Sequence, residues 1–136
     1  MSTDGSQQSI EFAFAEATEV TVHRGIHSDL RDQGILLRHR RPMTVGDVSA
    51  RELVLWATTA PIEVSVSVPA GSLMVWNVWR DNGATHGLLG DAEIRSFDLP
   101  DGGVMLECSD GYAPSESTDL RVELRFDPTP EALSEG

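Results

Sequence analysis

The sequence predicts an all-β protein: an antiparallel β-sandwich or a jelly-roll-like barrel of about eight or nine strands, with at most one short helical turn. The clearest observation is residues 62–68, where apolar and polar side chains alternate without a break, because only an extended strand has the period of two that separates them. The same alternation recurs over residues 120–126. The other apolar runs are short and are separated by Gly, Pro, Asn and Asp, as is typical of strands joined by turns. Together these observations predict a sheet with one dry face and one wet face.

The strands are predicted in chain order from their β-branched and aromatic residues. Ala, Glu and Gly dilute this signal in the three strands predicted before residue 41. The strand at 51–59 is rich in Val and Leu, and the fifth and ninth predicted strands are the alternating segments described above. The sixth carries two tryptophans, and turn residues frame the seventh and eighth. The predicted strands span residues 9–15, 18–24, 34–40, 51–59, 62–68, 72–80, 85–96, 103–109 and 119–127.

Turn chemistry predicts two tight hairpins. Asn82-Gly83 offers the positive φ that a two-residue hairpin needs, and residues 100–103, Pro-Asp-Gly-Gly, offer the same between the seventh and eighth strands. These hairpins predict a meander of the sixth, seventh and eighth strands. Residues 47–55 have an alternative interpretation as one helical turn, capped by Asp47 or Ser49.

One domain accounts for the length of 136 residues. Residues 1–8 and 128–136 are polar or proline-rich and are predicted to be flexible tails, the second of them acidic, which leaves a single β-sandwich domain over residues 9–127. Cys108 is the single cysteine, so no intramolecular disulfide can form. It would share one face of a strand with Val104 and Leu106, so it is expected to be a small buried hydrophobic residue.

The formal net charge of -12 argues against binding of nucleic acid or of an anionic membrane, since both would repel the field of the protein. A basic or neutral protein partner is expected instead. The first residues have no secretory signal and no segment has the length of a membrane span, which predicts a cytoplasmic protein. All ten basic residues are arginine, for which there are two explanations: GC-rich DNA, or adaptation to high salt together with the acidic excess. A GC-rich bacterial source is the favoured interpretation.

The tryptophan-bearing segment 72–80 does not alternate, so both faces of this strand are expected to be covered. Core packing is one interpretation of its side chains. The other is a ligand groove or partner surface, because aromatic and arginine anchors carry most of the energy of binding sites. Tyr112, the only tyrosine, lies in the polar loop 109–119 that is a candidate recognition tip. The predicted ligand- or partner-binding residues are Trp76, Asn77, Trp79, Arg80 and Tyr112.

No metal or cofactor is predicted. Asp110, Glu116 and Asp119 are hard oxygen ligands that could hold calcium, with Asp101 or Asp91 from neighbouring turns, but their spacing matches no strict calcium pattern and favours a solvated loop. The four histidines show no ligand spacing beyond His23 and His27, which Gly25 separates. These residues are His23, His27, His39 and His86.

Residues 38–41, Arg-His-Arg-Arg, form the one basic cluster. On a regular strand Arg38 and Arg40 share a face, and pairing with carboxylates of adjacent strands is expected. Bidentate binding of an anionic or carboxylate ligand is the alternative. Paired carboxylates elsewhere arise by chance among 22 acidic residues and receive no catalytic role.

The sequence leaves three hypotheses for function. The first is a non-catalytic cytoplasmic interaction module that self-associates or binds a basic or neutral protein. The second is a binding protein for a small ligand, a sugar or a carboxylate metabolite, with tryptophan for stacking. The third is a metal-dependent enzyme of cupin-like or barrel type, although no nucleophile and base are paired in the sequence.

Overall fold

In the computed structural model, residues 6–27, 32–81, 83–87, 92–110 and 119–128 are described, and they form strands and turns without a helix. The strands are β1 (Ser6–Gln7), β2 (Ile10–Phe14), β3 (Thr18–His27), β4 (Asp32–Val45), β5 (Val48–Trp56), β6 (Glu63–Val68), β7 (Gly71–Asp81), β8 (Ala84–Gly87), β9 (Glu93–Asp98), β10 (Val104–Ser109) and β11 (Leu120–Asp127). The predicted all-β class is confirmed. β1 lies within the segment that the sequence assigns to the N-terminal tail, and it pairs with β9.

All pairings between these strands are antiparallel, and the strands make one sheet that curls into a nearly closed barrel. Its order is β1-β9-β10-β11-β3-β6-β4-β7-β2, with β5 added to β4 and β8 added to β7. Strands far apart in this order meet across the core. The ring of Phe126 on β11 lies 5.3 Å from that of Phe12 and 5.8 Å from that of Phe14, both on β2.

The two alternating segments behave as predicted, with one exception. On β11 the four apolar side chains from Leu120 to Phe126 are buried, and the charged residues between them are half-buried. On β6 Val66 and Val68 are buried. Ile62 was expected on the same dry face, but it precedes the strand and is 57% exposed. The turn before β6 carries it away from the core.

β4 is twice as long as predicted and contains an irregularity at the basic cluster. It pairs with β7 as far as Arg38 and with β6 only at Thr44, so it passes from one part of the barrel wall to another. Between Arg38 and Met43 its register with β5 shifts. As a result, residues 39–42 of β4 lie opposite the single residue Arg51 of β5. Such bulges bend a strand and change the direction of its side chains.

The strand predicted over residues 51–59 is confirmed as β5, whereas the alternative helical turn and the single strand over residues 85–96 are wrong. The segment 47–55 forms β5 rather than a helical turn, because a two-residue turn with Gly46 at a φ of 55° folds it back onto β4. The segment 85–96 is two strands, not one. β8 pairs with β7, whereas β9 pairs with β10 and β1, so no simple meander forms. A short strand pairs with whichever edge the tertiary fold brings to it, which local propensity does not specify.

Both predicted hairpin turns are confirmed. Asp81 faces Ala84 across the first, where Gly83 has a φ of 80°. Asp98 faces Val104 across the second, where Gly102 has a φ of 91°. These positive φ values are the reason for glycine at both turns.

Candidate binding face

β7 divides its side chains between two faces in the way the sequence predicts. The inward face consists of Leu73, Val75, Asn77 and Trp79, each of them at most 1% exposed. The outward face consists of Met74, Trp76, Val78 and Arg80, of which only Val78 is buried. Among the predicted binding residues, Trp76 and Arg80 therefore lie on the outer surface of the sheet, and Asn77 and Trp79 lie in its core.

The interior position of Asn77 and Trp79 agrees with core packing. The Asn77 side-chain amide donates a hydrogen bond of 3.1 Å to the carbonyl of Ser109, which satisfies a polar group inside the core. The Trp79 ring lies 6.2 Å from the imidazole of His86. Neither side chain is accessible to a ligand from outside, and a binding role for them stays a prediction.

The outward face of β7 continues across β4 and β5 as an apolar surface. Leu36 lies between Trp76 and Val54 in the strand register, and in the next row Gly34 lies between Val78 and Trp56. The side chains of Trp76, Val54 and Trp56 are half-buried rather than covered. Together with Arg80, these side chains form the surface that we name the aromatic face. It consists of Leu36, Val54, Trp56, Trp76 and Arg80.

Glycine and arginine hold Trp56 flat against the sheet. A Cβ atom on Gly34 would lie 2.8 Å from Cε3 of Trp56, so the ring occupies the space where any other residue would project a side chain. The guanidinium carbon of Arg80 lies 4.1 Å from the centroid of the Trp56 ring, which is a cation–π contact. Arg80 also approaches Asp32, with 3.9 Å between Nη1 and Oδ2. The ring and the guanidinium therefore fix each other's position on the sheet.

A groove of about 480 Å³ adjoins the aromatic face at Met74. We name it the arginine groove, and it is lined by Glu11, Arg38, His39, Arg40, Arg51, Glu52, Ser72 and Met74. The bulge in β4 places Arg40 beside Arg38 and opposite Arg51. The expected pairing of Arg38 with a neighbouring carboxylate does not occur: within the described part of the chain, Arg38, Arg40 and Arg51 form no ion pair, although Arg38 faces Glu52 in the register.

His39 supports the bulge from the inside. Its side chain is 4% exposed, and its Nδ1 accepts a hydrogen bond of 3.0 Å from the backbone N–H of Arg41. The ring fits against Gly71, where a Cβ atom would lie 3.2 Å from the His39 Nε2. That Nε2 atom is buried without a hydrogen-bond partner. His39 is thus a structural part of the groove wall, in contrast to the exposed His23, which pairs with Glu63 at 3.3 Å.

A second polar cluster lies at the start of the loop that follows β10. Asp110 and Asp119 are both buried, and the N–H of Asp110 donates to Oδ2 of Asp119 at 3.0 Å. The buried amide of Gln33 donates to Oδ2 of Asp110 at 3.0 Å. Burial, and then the nearby carboxylate of Asp110, raise the pKa of Asp119. This cluster closes one end of the core rather than opening onto the surface.

The predicted calcium ligands are only partly brought together. Asp110 and Asp119 are adjacent, whereas Asp101 pairs with Arg125 at 3.4 Å. Tyr112, Glu116 and Asp91 lie outside the described residues. Within the described ranges there is no group of three or more His, Cys, Asp or Glu side chains that could hold a metal ion.

Two other features lack the properties of a site. A cavity beside Arg24, Trp56 and Leu120 has a volume of about 20 Å³, which is room for a single water molecule. Cys108 is 1% exposed, and burial together with the neighbouring carboxylates of Asp119 and Glu107 raises the pKa of its thiol. A thiol held in the protonated form is a poor nucleophile, and the predicted role as a buried hydrophobe is confirmed.

Comparison of the chain with protein-family models, with curated proteins and with solved structures finds no match. The described residues also contain no helix that has the length and hydrophobicity to cross a bilayer. The class of protein is therefore defined by its own fold and surface: an all-β barrel-like domain with an aromatic face and an arginine groove.

The sequence names Trp76 and Arg80 as candidates and does not single out Trp56 or Arg51, which lie on the same surfaces. Trp56 ends a run of β-branched and leucine residues, and nothing in the sequence tells which face of which neighbouring strand it covers. Arg51 lies 11 residues beyond Arg40, and only the hairpin between β4 and β5 brings the two together. The sequence feature that points to an exposed polar site here is the Arg-Glu pair at positions 51 and 52, which interrupts an apolar segment.

Proposed function

We propose that this protein is a non-catalytic interaction module that binds a protein partner, or a second copy of itself, through the aromatic face. The observation that carries the proposal is that Trp56 and Trp76, partly exposed, lie with Arg80 on one outward surface of the sheet. Tryptophan and arginine are the residue types most enriched at the energetic centres of protein interfaces.

The surroundings of the aromatic face also favour a partner. Val54 continues the apolar surface between the two tryptophans, next to the buried Leu36, and charged residues border this surface at both ends. An apolar centre with a polar rim is the usual arrangement of a protein interface. Because Arg80 is already stacked on Trp56, little side-chain entropy is lost when a partner covers them.

The charge of the molecule restricts the choice of partner. The net charge of -12 makes two copies repel each other, except where a locally less acidic surface faces the partner. The aromatic face and the arginine groove together carry four arginines and two glutamates, with Asp32 beside Arg80, so they are such a surface. A neutral or basic partner, or a second copy that uses this same face, fits this distribution. The proposed setting is the cytoplasm, where the single thiol of Cys108 stays reduced.

Site-specific photo-crosslinking in cells of the source organism tests the proposal. A benzophenone amino acid replaces Val54 or Trp76 on the aromatic face, and Ser65 or Thr21 on the outer face of the other part of the barrel as matched controls. We expect a discrete adduct from the first two positions only, with twice the chain mass for self-association or with the chain mass plus that of the partner for another protein. Equal adducts at the control positions, or none at the aromatic face, would contradict the proposal.

A further inference from the structure

The arginine groove carries an inference that extends the proposed function and rests on it. Three arginines line this groove without an ion pair to any described residue, in a chain that has 22 acidic residues and ten arginines. With more than two carboxylates for each guanidinium, pairing within the molecule would be expected. Pairing does occur elsewhere: Arg121 contacts Glu107 at 2.9 Å, and Arg125 contacts Glu123 at 3.2 Å.

Two glutamates line the same groove, but neither forms an ion pair with its arginines. Arg38 and Glu52 are directly opposite each other in the register and still do not pair. The bulge at 39–42 sets Arg40 next to Arg38, and the buried His39 holds the bulge through the Arg41 N–H. Neighbouring guanidinium groups repel one another, so an arrangement of this kind favours a ligand that supplies negative charge.

We infer that the arginine groove is the docking site for a carboxylate-rich segment of the protein partner that binds the aromatic face. Guanidinium groups bind carboxylates by paired, charge-assisted hydrogen bonds. The groove is open and meets the aromatic face at Met74, so one partner can contact both surfaces at once. A local acidic segment on an otherwise neutral or basic partner is compatible with the net charge of the chain.

The two glutamates of the groove determine where the partner's acids can lie. Across the sheet, one row runs Glu11, Met74, Arg38, Glu52, so that an acid lies at each end of it. A carboxylate of the partner is attracted to the middle of this row and to Arg40 and Arg51, and it is repelled at the two ends. Repulsion of wrongly placed charge is a common source of specificity.

Fluorescence anisotropy with a labelled oligoglutamate peptide tests the inference. The measurement is made at physiological ionic strength, where the Debye length of about 8 Å screens the long-range repulsion by the net charge but not the short contacts within the groove. The double variant Arg38→Ala/Arg51→Ala is compared with Arg121→Ala/Arg125→Ala. Each changes the formal net charge from -12 to -14 by removal of two arginines, so the long-range repulsion of the peptide is the same in both.

The groove variant is expected to bind oligoglutamate about tenfold more weakly or worse, since hydrogen bonds to charged groups are lost. The control variant is expected to keep the wild-type affinity. Glu52→Gln is expected to bind more tightly than wild type, because one repelling carboxylate is removed. Far-ultraviolet circular dichroism and the melting temperature of each variant establish that it is folded.

Three results would overturn the inference: no binding of oligoglutamate to the wild type, equal losses in the two double variants, or tighter binding of free citrate than of the peptide. The last result would assign the groove to a small carboxylate instead. Crosslinking at the aromatic face is independent of these measurements. If the crosslinks form but the groove variant binds normally, only this inference fails, whereas absence of crosslinks refutes the proposed interaction itself.

Discussion

The protonation and ion pairing of individual side chains in this protein depend on their immediate surroundings. Asp119 illustrates this, since it is a carboxyl group buried beside a second carboxyl group, Asp110, and accepts that residue's backbone N–H. Burial disfavours its charged form and raises its pKa. Arginines differ in the same way: those on β11 pair with neighbouring acids, whereas those of the arginine groove do not.

Replacement of Asp119 by asparagine is expected to stabilise the protein at neutral pH by up to about 1 kcal/mol, with part of the effect lost to solvent screening. The folded protein holds the Asp119 proton more tightly than the unfolded chain. The stabilisation from that proton is therefore complete in strongly acid solution and is lost as the pH rises through the raised pKa. The amide introduced by Asp119→Asn keeps an oxygen acceptor for the Asp110 N–H and has no proton to lose in this range.

Urea unfolding from acid to neutral pH checks this prediction. The advantage of Asp119→Asn over wild type should grow as the pH rises from acid and should vanish at the acid end. An Asp119→Asn protein that is less stable than wild type at neutral pH would show that ionised Asp119 is favourably bound in the fold.

At the scale of strands, a regular alternation of apolar and polar residues and a bulge in the strand have different structural effects. β6 and β11 alternate regularly, and each presents a dry side to the core. β4 is interrupted by its bulge, which builds the arginine groove at the place where the strand leaves β7. β4 also contributes Ile35, Leu37 and Met43 to the core, so its bulge adds the groove to a strand that is otherwise part of the barrel wall.

The two sides of β6 provide a matched pair of substitutions. Val66 has no exposed surface, so Val66→Asp would place an unpaired charge in the core and should cost about 4 kcal/mol or more, enough to unfold a domain of marginal stability. Ser65→Asp, on the exposed side of the same strand, should change the free energy of unfolding by less than about 0.5 kcal/mol. Circular dichroism with thermal unfolding measures both. A soluble Val66→Asp protein that melts at the wild-type temperature would refute this orientation of β6.

For the molecule as a whole, the net charge repels other acidic surfaces, whereas the aromatic face is a less acidic surface that favours association. A charge of -12 on 136 residues produces self-repulsion that disfavours the compact state. The described ion pairs are mostly at exposed or half-exposed side chains and compensate little of it. The aromatic face is the exception to this acidic surface, which is the reason for expecting the partner there.

The melting temperature is expected to rise by a few degrees when sodium chloride is raised from low to physiological ionic strength, because screening weakens long-range repulsion. Differential scanning calorimetry measures this directly. Sulfate is avoided because it stabilises folded proteins by exclusion from their surface. A melting temperature that falls with added sodium chloride would mean that attractive ion pairs outweigh the repulsion between like charges.

The fold class, the dry sides of β6 and β11, both glycine hairpins and the burial of Cys108 follow from the amino-acid sequence alone, because each depends on a local period, a positive φ or a local apolar run. It also divided β7 correctly into the face of Trp79 and the face of Trp76. Strand pairing, by contrast, turns Trp79 toward the core, places Trp56 with Trp76 on the outer surface and brings Arg51 into one groove with Arg38. Those relations depend on which strands pair and in which register, and pairing between distant segments is set by the packing of the whole core rather than by the residues next to each strand.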